Sequence, residues 1–173
     1  SESDRPMSQT PTSPPPLTAN QIRRHLLRAD EVARRAMSLG RHPFGALLVA
    51  PDGETVLAEQ GNIDTVHHAE ATLARTVSLN YPASYLWQCT LVTTFEPCAM
   101  CTGTIYWANI GHIVYGASEE ALLALTGNHA ENPTLSLPCR EVMARGQKPV
   151  RITGPVAELA DALVDTHRNF WQR

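Results

Sequence analysis

Residues 90–108 read TLVTTFEPCAMCTGTIYWA. Thr90 to Thr94 is β-branched and apolar, the composition of a buried strand. Ala99 to Ala108 reads as a helix, with Pro97 standing between the two. Cys98 and Cys101 fall at the start of that helix, three apart and on one face. Upstream, His68-Ala69-Glu70 opens another expected helix, running to about Leu79. One imidazole and two thiolates are three ligands for a zinc ion, and they leave a fourth tetrahedral position open. A helix N-terminus and a bound cation both favour the thiolate form. Glu70, two residues from the imidazole, can shuttle protons. A Cys-x-x-Cys alone also reads as a redox pair or as half of a structural zinc site. Joined to His-x-Glu in this order, it is a far more specific signal.

The flanking sequence supplies the rest of a layered domain. Thr18 and Gln21 form a capping-box pattern, and Ile22, Leu26, Ala29, Val32, Ala33 and Ala36 recur at helical spacing up to a stop at Gly40. Ala46 to Ala50 and Thr55 to Glu59 read as strands joined by a Pro51-Asp52-Gly53 turn. Further strands are expected at His112 to Tyr115 and Val150 to Thr153. Further helices are expected at Ser118 to Leu125, Pro138 to Gly146 and Pro155 to Phe170. Strands alternating with helices predict an α/β domain, and the early hairpin makes its sheet mixed. Residues 1–17 are rich in Ser, Thr and Pro, with Pro14-Pro15-Pro16 favouring an extended chain, and read as a disordered tail. Residues 18–173 read as one domain.

Composition narrows the function. Net charge is −3, from 14 Lys and Arg against 17 Asp and Glu. No strong positive field is available to attract a polyanion, which argues against a nucleic-acid partner. Arg34, Arg35 and Arg41 are a local cluster that reads as a solvated helix face. Of four cysteines, Cys89 and Cys139 sit outside the metal motif and read as buried thiols, as in a reducing compartment; no membrane span or signal-peptide core is visible. A cytoplasmic location is expected.

The motif and its flanks together resemble the cytidine deaminase superfamily of zinc-dependent deaminases. Besides His68, Glu70, Cys98 and Cys101, the match takes in Pro43-Phe44-Gly45-Ala46, Asn62, Glu96-Pro97 and Gly103 to Ala108, over about residues 20–173. Bacterial guanine deaminases and tRNA adenosine deaminases are the nearer types. The resemblance implies a three-layer α/β/α fold on a five-stranded mixed sheet, a Zn²⁺ cofactor, a homodimer and a small nucleobase or nucleoside substrate, guanine-like by preference. It implies that Asn62 binds base or sugar, that Phe44 stacks on the base and that Trp107 lines the pocket. The competing readings are a turn residue, core packing and an apolar helix face. Ala69, between His68 and Glu70, is counted with the substrate contacts. Glu96 either orients backbone amides or touches substrate.

One segment departs from the guanine deaminases. They carry a glycine-phenylalanine-aspartate stretch after the strand that matches His112 to Tyr115, whereas residues 126–132 here read TGNHAEN. Guanine needs an acceptor for its N1–H and amino group, and Glu131 is the acid at hand. Phe170 and Trp171 are similar in kind to an aromatic tail that caps the guanine deaminase site; the other reading is a helix end docked on its own domain. His67 is the nearest spare ligand for a closed structural site, but adjacent helix side chains diverge. His25, His42, His129 and His167 read as surface residues, and His112 as core edge. A tRNA adenosine deaminase, a cytosine or triazine deaminase and a zinc-stabilised interaction protein stay open as alternatives. An intact Glu70 counts against the last.

Overall fold

A computed structural model describes residues 15–127, 129–168 and 170–172, Gln172 through its backbone only. The expected tail lies outside the described residues as far as residue 14; Leu17 already packs on the core. Helix α1 (Ala19–Ser38) opens with the Thr18–Gln21 capping box and ends before Gly40, whose φ is +79°. Strands β1 (Gly45–Val49) and β2 (Val56–Gly61) form the hairpin. Its turn is held by Asp52 Oδ1, which accepts from the backbone N–H groups of Glu54 and Thr55, each at 2.8 Å.

The chain continues through α2 (Ala69–Asn80), the four-residue α3 (Ala83–Leu86), β3 (Thr90–Phe95), α4 (Ala99–Ala108), β4 (His112–Ala117) and α5 (Glu119–Thr126). It closes with α6 (Cys139–Ala144), β5 (Arg151–Thr153), α7 (Ala157–His167) and a 3₁₀ turn at Phe170–Gln172. Only α3 had no counterpart in the sequence reading, being one turn long. The final helix stops at His167, three residues short of the expected Phe170.

The sheet runs in the order β2-β1-β3-β4-β5. β1 is antiparallel to both neighbours, and β3, β4 and β5 are parallel. Alternation along β1 sorts the two cores. Ala46 and Leu48 face α2, α3, α4 and α6 through Ala69, Leu73, Val77, Leu86, Ile105 and Met143. Leu47 and Val49 face α1, α5 and α7 through Leu26, Ala29, Leu122, Leu159 and Leu163. The result is the expected three-layer α/β/α arrangement. Gly45 lets α1 lie directly on β1, since a Cβ there would run into the Ala29 carbonyl. No helix among the described residues is long and apolar enough to cross a membrane.

Three expected surface histidines are not at the surface. His25 is buried and bonded to the Gly53 carbonyl at 2.8 Å. His167 is buried under Phe44 and Phe95, and its Nδ1 accepts from Trp171 Nε1 at 3.1 Å. His42 is part-buried against Phe170 and Trp171. His25 lies inside α1 on the buried face with Leu26 and Ala29, whereas His42 and His167 stand in a loop and at a helix end, where no periodicity reveals burial. His112 is core, with Nε2 2.9 Å from Thr153 Oγ1 and Nδ1 3.3 Å from Thr90 Oγ1.

Burial pushes His112 down to about 4, helped by the charge of Arg151, and burial likewise pushes His167 down to about 4. Unfolded histidine titrates near 6.5, so between about pH 6.5 and about pH 4 the unfolded chain binds more protons. Their contribution to stability is therefore present above pH 6.5 and lost as pH falls toward 4. Replacing His112 with Gln should flatten the dependence of unfolding free energy on pH across that window by up to about 1.4 kcal/mol per pH unit. Urea unfolding of both proteins at several pH values measures it; identical slopes would show that His112 titrates normally.

Candidate active site

The topology brings several chain ends to one edge of the sheet. β1 begins there, while β2, β3 and β4 end there, because β1 runs against its neighbours. Helices α2, α4 and α5 start at the same edge. Open α/β sheets place ligands in this position, beyond the carboxyl ends of parallel strands.

His68 and Cys98 are the N-cap residues of α2 and α4, and neither spends its side chain on a cap hydrogen bond. Both side chains are thereby free to face each other. Cys101 lies one turn into α4, buried, and Cys98 is part-buried. His68 Nδ1 is 3.6 Å from Cys98 Sγ and 3.6 Å from Cys101 Sγ. Zinc bonds of about 2.3 Å to sulfur and about 2.0–2.1 Å to nitrogen at a tetrahedral angle require an N···S separation of about 3.6 Å. The three side chains thus fit the ion without rearrangement. No fourth candidate ligand joins them among the described residues. His67 instead turns outward to Asp64, with Nδ1 2.9 Å from Oδ1.

The electrostatics suit a cation. Hydrogen bonding from Cys101, then from His68, holds the Cys98 thiol well below its usual range. Cys101 is raised in exchange, because the pair shares a proton. The Cys98 partner in turn raises His68. Glu70 is buried beside this group, and Thr93 Oγ1 donates to its Oε1 at 2.7 Å. Desolvation raises its carboxyl above the usual range.

The residues 19–117 match the model of the cytidine and deoxycytidylate deaminase zinc-binding region. The chain belongs to that family. It is a deaminase, a hydrolase of C–N bonds, and zinc is the metal its ligand set serves. A probable cytosine deaminase of Schizosaccharomyces pombe is 31% identical over 150 residues, covering 85% of this chain and 90% of that protein. A tRNA-specific adenosine deaminase of Haemophilus influenzae is 38% identical over 96 residues, which span 53% of this chain and 55% of the relative. Among solved structures, a guanine deaminase from Nitrosomonas europaea superposes with a TM-score of 0.64 at 23% identity, covering 96% of this chain and 92% of its own. That likeness shows a shared fold.

In this deaminase a cavity of about 250 Å³ opens beside the metal ligands. His68, Glu70 and Cys98 form its floor, and Phe44, Asn62, Thr65 and Phe95 one part of its wall. Glu96, Glu119, Leu122 and the segment Glu131 to Leu135 also line it, with His42 and Met100. The anticipated Asn62, Phe44, Glu96 and Glu131 are therefore assembled here. Asn62 is buried, and its Nδ2 donates to the Asp64 carbonyl at 3.2 Å. Glu96 is an orienting residue: Oε1 accepts from the Glu119 N–H at 3.2 Å and Oε2 from the Cys139 N–H at 3.0 Å. Glu131 Oε2 lies 3.4 Å from His42 Nε2.

Four of the expected contacts lie outside the cavity lining. Trp107 does not line the cavity; it is 81% exposed on the outer side of α4. It lies about two and a half turns along α4 from Cys98, in the groove shared with α2. Ala69 is fully buried in the core beneath α2 and presents no side chain to the cavity. Phe170 and Trp171 stand behind the lining, where Trp171 contacts the rings of His42 and Phe44 at 4.7 and 6.4 Å. Glu119 was overlooked altogether. The residue following β4 must sit at the sheet edge where β3 delivers Cys98, so the strand order held the signal.

Purified protein should carry about one zinc per chain. Cys98→Ala should lose most of it while the apo chain stays folded, because Cys98 is only part-buried and belongs to neither core cluster. Metal analysis by plasma emission decides this; full zinc occupancy in Cys98→Ala would remove the assignment.

Proposed function

We propose that the chain hydrolyses the exocyclic amine of a small free base or nucleoside, with guanine-type purines preferred, and releases ammonia. The lining of the cavity carries the reading. Among its described residues are four glutamates and no lysine or arginine. A nucleotide phosphate or an RNA backbone would meet no cation there. That weighs against phosphorylated substrates and against tRNA. The volume falls just below the usual range for ligand pockets, which starts at about 300 Å³, as suits a single base.

Zinc bound by His68, Cys98 and Cys101 would supply the Lewis acidity that lets water ionise near neutral pH. Glu70 takes a proton from the attacking water as oxygen adds to the ring carbon bearing the amine. It passes that proton to the adjacent ring nitrogen and carries the second to the departing amine. The C–N bond breaks, ammonia leaves, and a ring carbonyl remains. Desolvation raises the Glu70 carboxyl above its usual range, which favours holding a proton between the two transfers. Thr93 fixes its orientation.

Asn62 can offer a donor and an acceptor to the base, and Phe44 a flat wall. Glu131, 67% exposed at the rim, can accept an amino proton of guanine. Cytosine is the second reading, favoured by the compact cavity and by the near full-length match to a probable cytosine deaminase. The buried free thiols of Cys89 and Cys139 fit a reducing, cytoplasmic setting.

The outer groove between α2 and α4 is assigned to a homodimer contact. Trp107 and Met100 leave apolar surface exposed there beside Gly103. Sedimentation should report a dimer at micromolar concentration and a monomer for Trp107→Glu. A wild-type monomer across that range would discard the assignment.

Ammonia release from a panel of bases, nucleosides and tRNA tests the substrate. Guanine or guanosine should lead; a far higher kcat/KM on tRNA would overturn the small-molecule reading. Glu70→Ala should keep its zinc and lose about 10³-fold or more in turnover, since the carboxylate serves several proton transfers.

A further inference from the structure

We propose that Glu119 is a specificity-determining residue that reads the ring-amide edge of the substrate, an N–H beside a C=O, and so selects oxo-bases over adenine-type bases. The proposal rests on the deaminase reading above and refines its substrate class. Glu119 opens α5 two residues beyond β4, at the sheet edge where α2 and α4 also begin. Only 7% of it is exposed, yet it lines the cavity. Its backbone is fixed twice over, by the bond from its N–H to Glu96 and by the Ser118 hydroxyl that caps the helix at 3.1 Å.

The other three acids of the cavity are occupied. Glu70 is held by Thr93 beside the metal ligands. Glu96 spends one oxygen on each of two backbone N–H groups. Glu131 stands at the rim next to His42. Among the described residues the Glu119 carboxyl accepts from the Leu137 backbone N–H and takes no part in the proton transfers, so its burial beside the cavity leaves hydrogen-bonding capacity that a ligand can fill.

Its chemistry indicates that purpose. Burial first, and then the neighbouring Glu96, push the Glu119 carboxyl up to about 8. The groups that face it are Glu96 past the end of β3, Cys98 at the start of α4, Glu70 in α2 and the Leu137 backbone N–H. Burial thus favours its protonated form. A protonated carboxyl sets an O–H donor beside a C=O acceptor. That pair is the complement of a cis ring amide, taking its N–H and giving to its oxygen. Guanine and guanosine present such an edge at N1–H and C6=O, and free cytosine at N1–H and C2=O. Adenine has none, and cytidine has lost its N1–H to the sugar.

The test measures kcat and KM on guanine, guanosine, cytosine, adenine and cytidine for wild type, Glu119→Ala and Glu119→Gln, with zinc content and melting temperature alongside. The preferred oxo-base should lose about 10- to 100-fold in kcat/KM in Glu119→Ala, chiefly through KM, while adenine changes by less than about threefold. Glu119→Gln keeps a donor beside an acceptor and should restore the oxo-base to within about fivefold of wild type. An unchanged oxo-over-adenine ratio in Glu119→Ala, an equal loss on both classes, or a Glu119→Gln as impaired as the alanine variant would each overturn the proposal. Glu119→Leu, which fills the volume, replaces the alanine variant if that one melts early. Calorimetric binding of xanthine against unsubstituted purine separates the two readings. If wild type releases no ammonia from any base, the substrate reading fails on its own. The role of Glu119 then stands if its loss weakens xanthine and spares purine, and falls if both are affected alike.

Discussion

The triangle of His68 Nδ1, Cys98 Sγ and Cys101 Sγ, with 3.6 Å edges from the imidazole, is the constraint around which the molecule is arranged. Two of its corners are N-cap side chains. An N-cap normally offers an oxygen to its own helix. Here the cap side chains are withheld from that duty and turned to each other, and the ends of α2 and α4 are left with partial positive charge facing thiolates. The hydroxyl of Thr102 tightens the first turn of α4 by donating to the Cys98 carbonyl at 2.8 Å. Converging two helix starts demands a sheet edge where strands end side by side. The parallel β3–α4–β4 crossover supplies it, the reversed β1 adds Phe44 at its start, and Asn62 follows the end of β2, its N–H bonded to the Phe44 carbonyl.

Glu96 extends that constraint to the far wall. Lying between β3 and the Pro97-Cys98 pair, it reaches the first N–H of α5 with one oxygen and the first N–H of α6 with the other. A carboxylate is well placed at a helix start, and this one serves two. The segment between α5 and α6, which supplies Glu131 to Leu135, is pinned at both ends by a residue two positions from a metal ligand. Site and wall are therefore built as a unit.

Much of this was legible in the sequence because it rests on short-range rules. The capping box at Thr18, the hairpin turn at Asp52, and the spacing of His68, Glu70, Cys98 and Cys101 depend on neighbours within a few residues, and each has its structural counterpart. The readings that went astray depend on contacts between distant segments. Trp107 follows Tyr106 in a helix whose apolar residues ring it on all sides, so composition could not say which faces outward. His25 and His167 are buried through Gly53 and Trp171, partners far away or past a helix end. The 126–137 region has no periodicity at all, and its placement over the cavity comes from Glu96 at its flanks and from contacts with distant residues, His129 with Trp171 and Glu131 with His42.

The cavity's charge pattern bears on how such a site discriminates. A pocket with arginine or lysine can hold a substrate by its phosphate, and the base then adds little to affinity. This one has no such handle among its described lining residues, so selection must come from shape and from hydrogen bonds to the ring. Unpaired polar groups are expensive to bury, and that makes each of them a discriminator: a base that fails to match leaves an acid or an amide unsatisfied. Four acids at one site would repel one another if all were ionised. The arrangement eases that strain by burying Glu70 and Glu119, where desolvation favours the protonated form, and by leaving Glu131 at the solvent. Burial thus sets which acids can donate and which can only accept, and with them the donor and acceptor pattern that a substrate has to complete.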